Sequence, residues 1–169
     1  MPWAAGGSTD QITRVTAAEL EKALGQTIVI VNQPGASGSI GTKSAFDAPR
    51  DGYTWTAGAA QDLGTYQTLG SLNANIKDWN LFLTVANIQV IGVNPSTPYQ
   101  NPKQLLDAMK AKPNSIPVAT AGVTSAGHNA MELIAKSTGV TYRHVTYDGG
   151  NPAVVATVAG EAEVTTQLA

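Results

Sequence analysis

Four glycine-containing loops hold the residues whose types and spacing are best suited to binding a small ligand. Glycine lets backbone amides approach a ligand closely, and Ser or Thr hydroxyls add donors with little bulk. None of the 10 Lys and Arg residues falls inside these loops, so an anion held there would depend on backbone amides, hydroxyls, bridging water and helix dipoles. Each loop alone also suits an ordinary helix entry, but together they favour a binding site. The loops are residues 4–10, 58–61, 122–125 and 147–151.

The sequence motifs support a catalytic site less well than they support a binding site. Ser125 and His128 are three residues apart on one predicted helix, which would suit a Ser/His hydrolase. However, the sequence has no G-x-S-x-G elbow, and a serine N-cap followed by a partly buried histidine is the commoner arrangement. Gly35, Gly38 and Gly41 are spaced G-x-x-G-x-x-G, which matches neither the dinucleotide fingerprint nor the P-loop. We therefore expect a binding protein and not an enzyme, with the hydrolase as an alternative.

Composition excludes several other kinds of site. The chain has no Cys, which excludes a disulfide framework, a thiolate nucleophile and a Cys-ligated metal. His128 and His144 have no metal-ligand spacing, so we expect no metal site, and no motif requires a cofactor. The formal net charge of -2 argues against nucleic-acid binding, which needs a dense basic face.

Alternating helical and β-branched segments would position the four loops. This alternation predicts an α/β fold with a parallel or mixed sheet. Loops at the carboxyl ends of its strands would face helix N-termini, where anions are favoured. The predicted helices cover residues 9–24, a short stretch ending near 48, a stretch that follows Gln61 and reaches Gly70, and 102–112, 125–138 and 151–160. The predicted strands cover residues 27–31, 53–57, 81–94 (as one strand or two), 117–121, 142–146 and 162–166.

A proline cluster divides the chain. Pro95, Pro98 and Pro102 each fix φ and remove a backbone donor, which favours an ordered connector over the interior of an element. We predict a first lobe over residues 1–94, a second lobe over residues 95–169 and a hinge near residues 94–98. The start of the chain has no basic and apolar segment typical of an export signal, and no apolar run of 18 residues occurs.

The motifs resemble those of the periplasmic substrate-binding proteins of tripartite tricarboxylate transporters, the Bug or TctC-like family. The resemblance covers essentially the whole chain. It implies a type II periplasmic-binding-protein fold, in which two α/β lobes joined by crossing strands close over a small organic acid. The matching stretches are PWAAGGSTD at residues 2–10, GQTIVIVNQPGASGSIG at 25–41, DGYT at 51–54, VNPS at 93–96, AGV at 121–123 with Ser125 and His128, and Tyr147 with Gly149, Gly150, Pro152 and Ala153.

The resemblance implies a set of ligand-binding residues. It also implies a periplasmic location, a di- or tricarboxylate-like ligand, delivery to the membrane permease subunits of a transporter, and no cofactor. The family usually has Gly at the position of Thr124 and an apolar residue at that of Asn129. One lobe would contribute Ala5, Gly6, Gly7, Asp10, Gly58, Ala59, Ala60 and Gln61, and the other Val123, Thr124, Ser125, His128, Tyr147, Asp148 and Gly149.

The family's usual length makes the first lobe incomplete in this chain. Family members have a strand before the first motif and, after the segment like residues 160–166, continue back into the first lobe. We therefore expect a truncated form whose exposed sheet edge promotes self-association. A ligand-sensing protein that docks on a signalling partner is an alternative to transport, because the sequence does not separate the two roles.

Overall fold

The computed structural model describes residues 1–168, which form six α-helices, two short 3-10 helices and one four-stranded sheet. The α/β class is confirmed. The predicted second lobe ends at Ala169, which lies outside the described residues. No helix within residues 1–168 is both long and apolar enough to cross a membrane. The helices are α1 (Ser8–Leu24), α2 (Ser39–Phe46), α3 (Ala60–Thr68), α4 (Pro102–Ala111), α5 (Ala126–Thr138) and α6 (Gly150–Val158), and the strands are β1 (Gln89–Val93), β2 (Pro117–Thr120), β3 (Arg143–Thr146) and β4 (Val164–Leu168).

The sheet is mixed, with strand order β1-β4-β2-β3. β2 pairs in parallel with β3 and β4, and β1 pairs antiparallel with β4. Helices α5 and α6 connect the parallel strands, as the βα alternation predicted. β2 and β3 therefore end at the same edge of the sheet, and the loops that follow them lead into α5 and α6. β1 lies before the predicted hinge but belongs to this sheet, and the lobe boundary stays a prediction.

Helices cover both faces of this sheet. Successive side chains of a strand point to opposite faces, so Val118 packs with Leu105, Met109 and Met131 while its neighbour Ala119 packs with α6 on the other side. All four residues of β2 are buried. Such double coverage explains why β2 has an apolar sequence without polar alternation. Packing on both faces of β2 therefore fixes the position of the sheet edge from which the loops after β2 and β3 emerge.

Two of the segments predicted as strands form none, and a third forms a strand only in its last part. Residues 27–31, residues 53–57 and residues 81–88 have no strand ladder, and only Gln89–Val93 of the last run pairs, with β4. Val29 is 79% exposed and Phe82 is 88% exposed. An apolar β-branched run becomes a strand only where a neighbour accepts its backbone hydrogen bonds, and residues 1–168 place no strand beside these segments. Self-association through this apolar surface stays a prediction.

Candidate ligand-binding site

A cavity of about 260 Å³ lies where the loop of residues 4–10 faces the beginnings of α5 and α6. Residues from the first turns of α1, α5 and α6 line it, and Asp62 adds the first turn of α3. The N–H groups in the first turn of a helix have no partner within that helix and carry partial positive charge. The cavity therefore suits a small anion. Its lining consists of Trp3, Ala4, Gly6, Gly7, Ser8, Thr9, Asp10, Asp62, Ala121, Ser125, Ala126, Gly127, Gly150, Asn151, Val154, Gln167 and Leu168.

The four helices differ in whether a side chain caps their first turn. Helices α1, α3 and α6 have Gly7, Ala59 and Gly149 at their N-caps, without a side-chain cap. Ser125 does cap α5, because its Oγ accepts a hydrogen bond from the His128 amide at 3.4 Å. Since that bond uses the hydroxyl oxygen as an acceptor, the Ser125 proton can still be donated to a ligand.

Two of the predicted loops contact each other directly. The Ala4 amide donates to the Asp148 carbonyl oxygen at 3.1 Å, and the Asn151 amide group donates to the Ala5 carbonyl oxygen at 3.4 Å. Gly149 has a φ of 152°, and a Cβ there would lie 3.1 Å from the Ala4 nitrogen. Glycine is therefore required where the two loops approach most closely. This junction forms one wall of the cavity.

Asp10 holds the first loop in place. It is 2% exposed. Its Oδ2 accepts from the Gly6 amide and from Arg14 Nε, and its Oδ1 accepts from Asn32 Nδ2, each at 2.9 Å. Burial opposes ionisation, but the hydrogen bonds from Arg14, Gly6 and Asn32 outweigh it and lower the pKa of Asp10 to about 2. Asp10 is therefore a paired carboxylate that organises the wall of the cavity.

His128 organises the loop before α5. Its Nδ1 accepts from the Thr124 amide at 2.9 Å, and Thr124 has a φ of 62°. The ring stacks on His144 with centroids 4.0 Å apart and planes 4° apart, and its Nε2 lies 3.5 Å from Glu132 Oε1. Burial lowers the pKa of His128, and burial together with the charge of His128 lowers that of His144 to about 4. Within residues 1–168, the side chains of Ser125 and His128 form no hydrogen bond with each other.

A second cavity, of about 500 Å³, lies beside the same two sheet-edge loops. Val123, Tyr147 and Asp148 line it, together with Ser37 and Gly122. Gly122 has a φ of 133°, and a Cβ there would lie 2.5 Å from Ser37 Oγ, so this approach also requires glycine. The resemblance implies one site, but some of its residues line the first cavity and others line the second.

The predicted residues therefore fall into three groups. Gly6, Gly7, Asp10 and Ser125 line the first cavity. Val123, Tyr147 and Asp148 line the second. The remainder line neither of these two cavities, although several support the loops that do: Ala5, Gly58, Ala59, Ala60, Gln61, Thr124, His128 and Gly149.

Asp62 is a cavity residue that the sequence did not reveal. It follows the predicted loop 58–61 by one position and lies in the first turn of α3. It is 5% exposed, and its Oδ1 is buried without a hydrogen-bond partner. Burial raises the pKa of Asp62 to about 7, and a hydrogen bond with the Ala59 backbone offsets this only in part. The position at a helix start was visible in the sequence, but the burial was not.

The chain is an α/β protein in which glycine-rich loops and helix N-termini surround a small cavity, an arrangement typical of ligand-binding sites. The family model described as the tripartite tricarboxylate transporter family receptor matches residues 12–168. The chain belongs to this family. Solved structures of periplasmic transport and binding proteins also match it over 99% of its length.

Three relatives indicate how far the similarity extends. Protein BugT of Bordetella pertussis is 32% identical over 170 residues, covering 95% of this chain and 50% of BugT. MatC of Rhodopseudomonas palustris, solved with bound malate, has a TM-score of 0.87 and 25% identity, covering 99% of this chain and 58% of MatC. Rpa4515 of R. palustris, solved with adipate, has a TM-score of 0.84 and 27% identity, covering 99% and 57%. The chain spans about half the length of the curated relatives it matches.

Proposed function

We propose that this chain is part of a periplasmic solute-binding protein that captures a small organic acid of the di- or tricarboxylate class. The acid would be delivered to the membrane permease subunits of a tripartite tricarboxylate-type transporter. The observation that carries this proposal is the cavity bordered by the first turns of four helices. The receptor family and the malate and adipate in two solved relatives support the same class of ligand.

The electrostatics of the cavity favour a carboxylate held without a salt bridge. Within residues 1–168, the lining of the first cavity includes no Lys or Arg. Its donors include first-turn amides of helices and the Ser125 hydroxyl. Amides at helix starts are already fixed in position, so they bind an anion without the loss of conformational entropy that a long cationic side chain would incur. Its volume of about 260 Å³ lies below the range of roughly 300–1,000 Å³ typical of drug-sized ligands, which suits a small acid.

The residues have two roles in this proposal. Gly6, Gly7 and Ser125 contact the acid, while Asp10 and His128 hold the loops that present those contacts. The first group lines the cavity, and the second makes loop-organising hydrogen bonds. Other predicted residues shape the second cavity and the junction between the loops.

A hinge near residues 94–98 would let the two predicted lobes close over the ligand. Asn94 supports this position because it ties the connector to α6. Its Nδ2 donates to the Thr157 carbonyl oxygen at 2.7 Å, and its Oδ1 accepts from the Ser96 amide at 2.8 Å. A short, hydrogen-bonded connector of this kind can absorb a change in φ and ψ while the elements on either side stay intact.

Replacement of Ser125 by Ala tests the proposed site. A hydrogen bond to a charged group contributes about 1.5–3 kcal/mol, so Ser125→Ala should weaken malate or adipate binding by about tenfold or more. Ser137→Ala is the matched control, because Ser137 lies on the same helix, is exposed and donates to the Ile134 carbonyl oxygen. Calorimetric titration of both variants measures the difference. Equal affinities for both acids in the two variants would remove Ser125 from the site.

A further inference from the structure

Asp62 differs from the other carboxyl group of the first cavity. The titratable side chains lining that cavity are Asp10 and Asp62. Asp10 is paired with Arg14 at 2.9 Å. Asp62 has no ion pair within the described chain, is 5% exposed and leaves Oδ1 without a hydrogen-bond partner. A buried carboxyl oxygen without a partner is costly, so Asp62 is placed to bond a ligand atom, and its burial favours the neutral form.

We infer that Asp62 binds as a neutral carboxylic acid and donates its proton in a hydrogen bond to a carboxylate of the captured acid, so that capture weakens as pH rises. This inference rests on the proposed function of the cavity. The proton stays on Asp62 and no covalent bond changes. An ionised Asp62 would place a second negative charge beside the ligand, with no Lys or Arg among the described lining residues to balance it. A neutral Asp62 instead supplies a donor to a charged acceptor, the stronger type of hydrogen bond.

The burial of Asp62 supports the neutral form. Removal from water disfavours the charged carboxylate and raises the pKa of Asp62 to about 7. A group with such a pKa changes its charge near neutral pH, where small organic acids are already fully ionised. Over this range the protonation of Asp62, and not that of the ligand, would control binding.

The groups around Asp62 leave it as the titrating residue of the cavity. On α3 itself, Tyr66 lies one turn further along, and its hydroxyl donates to the Ser37 carbonyl oxygen at 3.1 Å. From α1, Asp10 faces the cavity with its pKa lowered to about 2, so it stays ionised near neutrality. The lining residues contributed by α5, α6 and β4 are uncharged. On α5, His128 interacts with His144 and Glu132 instead of lining the cavity.

The charged groups on the other neighbours of α3 are turned to solvent. The 3-10 segment Ile76–Asp78 packs against α3, and its Lys77 and Asp78 are exposed, with Asp78 accepting from the Asn75 amide. Lys43 of α2 is exposed and paired with Asp47. None of these four side chains lines the cavity.

Malate titration at several pH values tests this inference. Wild-type affinity should fall by about tenfold per pH unit above the pKa of Asp62, because binding then requires uptake of one proton. Asp62→Asn keeps a donor without a titrating group, so its affinity for malate should be nearly independent of pH between about pH 6 and pH 9. Asp51→Asn, at an exposed carboxyl that accepts from the Tyr53 amide, is the control and should keep the wild-type profile.

The outcomes separate the two proposals. If wild-type protein binds malate and Asp62→Asn keeps the same dependence on pH, this inference is wrong and the carboxylate site stands. If wild-type protein binds neither malate nor adipate at any pH, the proposed function fails and the inference with it. Carbon-13 NMR of the wild-type carboxyl groups adds a measurement that needs no variant. An Asp62 pKa near its ordinary value would overturn the inference, and a value near neutrality supports it.

Discussion

Replacing Asp10 by Asn should destabilise the protein at neutral pH. It should also make the free energy of unfolding less sensitive to acid pH. Asp10 receives three hydrogen bonds, from the Gly6 amide, Arg14 and Asn32. In the Asp10→Asn variant an NH2 group replaces one acceptor oxygen, and it would face at least one of these donors without accepting its bond. The variant therefore loses both the negative charge and the acceptor that hold the first loop against α1.

The pKa of Asp10 sets the scale of this effect. A fall from the ordinary value of 3.8 to about 2 corresponds to roughly 2.4 kcal/mol at about 1.36 kcal/mol per pH unit. Because Arg14 is half exposed, solvent screening reduces the contribution to about 1–2 kcal/mol. A lowered folded-state pKa means that this stability is present above the unfolded pKa of 3.8 and is lost as pH falls towards 2. The variant should therefore lose stability at neutral pH and show a shallower fall in acid.

Urea unfolding at neutral pH and at successively lower pH values measures both effects. The control is Asp107→Asn, which removes an exposed carboxylate that pairs with Lys103 at the same i,i+4 spacing. Exposed pairs of this kind contribute little, so the control should unfold almost as wild type does. If Asp10→Asn and the control have equal unfolding midpoints at neutral pH, the buried hydrogen-bond network does not stabilise the loop as argued.

Two further predictions concern packing and pH. The free energy of unfolding should fall as pH drops from about 6.5 to about 4, because the unfolded chain takes up a proton that folded His144 does not. His144→Gln should flatten this fall in urea titrations. Gly127→Ala should destabilise by about 1–3 kcal/mol, since its Cβ would lie 2.1 Å from the Thr166 carbonyl oxygen, whereas Gly64→Ala, in open space on α3, should stabilise by about 0.5–1 kcal/mol. Thermal melting distinguishes the pair, and equal shifts would contradict the packing geometry.

The elements with local signals could be predicted from the sequence. Asn101 caps α4 through a hydrogen bond from the Gln104 amide, and Pro102 occupies its first turn. Ser125 caps α5, as predicted. Both signals act within a few residues, so no tertiary information is needed to recognise them. The predicted strand at residues 27–31 failed because a strand depends on a neighbour that local sequence does not specify.

The site could be predicted only in part for a related reason. The loops, and the absence of Lys and Arg from them, could be recognised from the sequence alone. The role of His128 was not, because it depends on stacking against His144 and on an unusual φ at Thr124. Asp62 was missed because burial and an unpaired oxygen depend on the elements that surround a residue. Each of these properties arises from residues distant in the chain.

By itself, the sequence determined the family and the α/β class, and it predicted an anion site built from glycines, hydroxyls and helix starts. Tertiary structure alone decided which loops meet. The Ala4 amide donates to the Asp148 carbonyl oxygen although the two residues are far apart in the chain, and the predicted site residues line two cavities where the sequence predicted one site. The physical reason is that helix starts and turns are short-range properties of the backbone. Burial, strand pairing and the charge state of Asp62 depend on neighbours that only folding brings together.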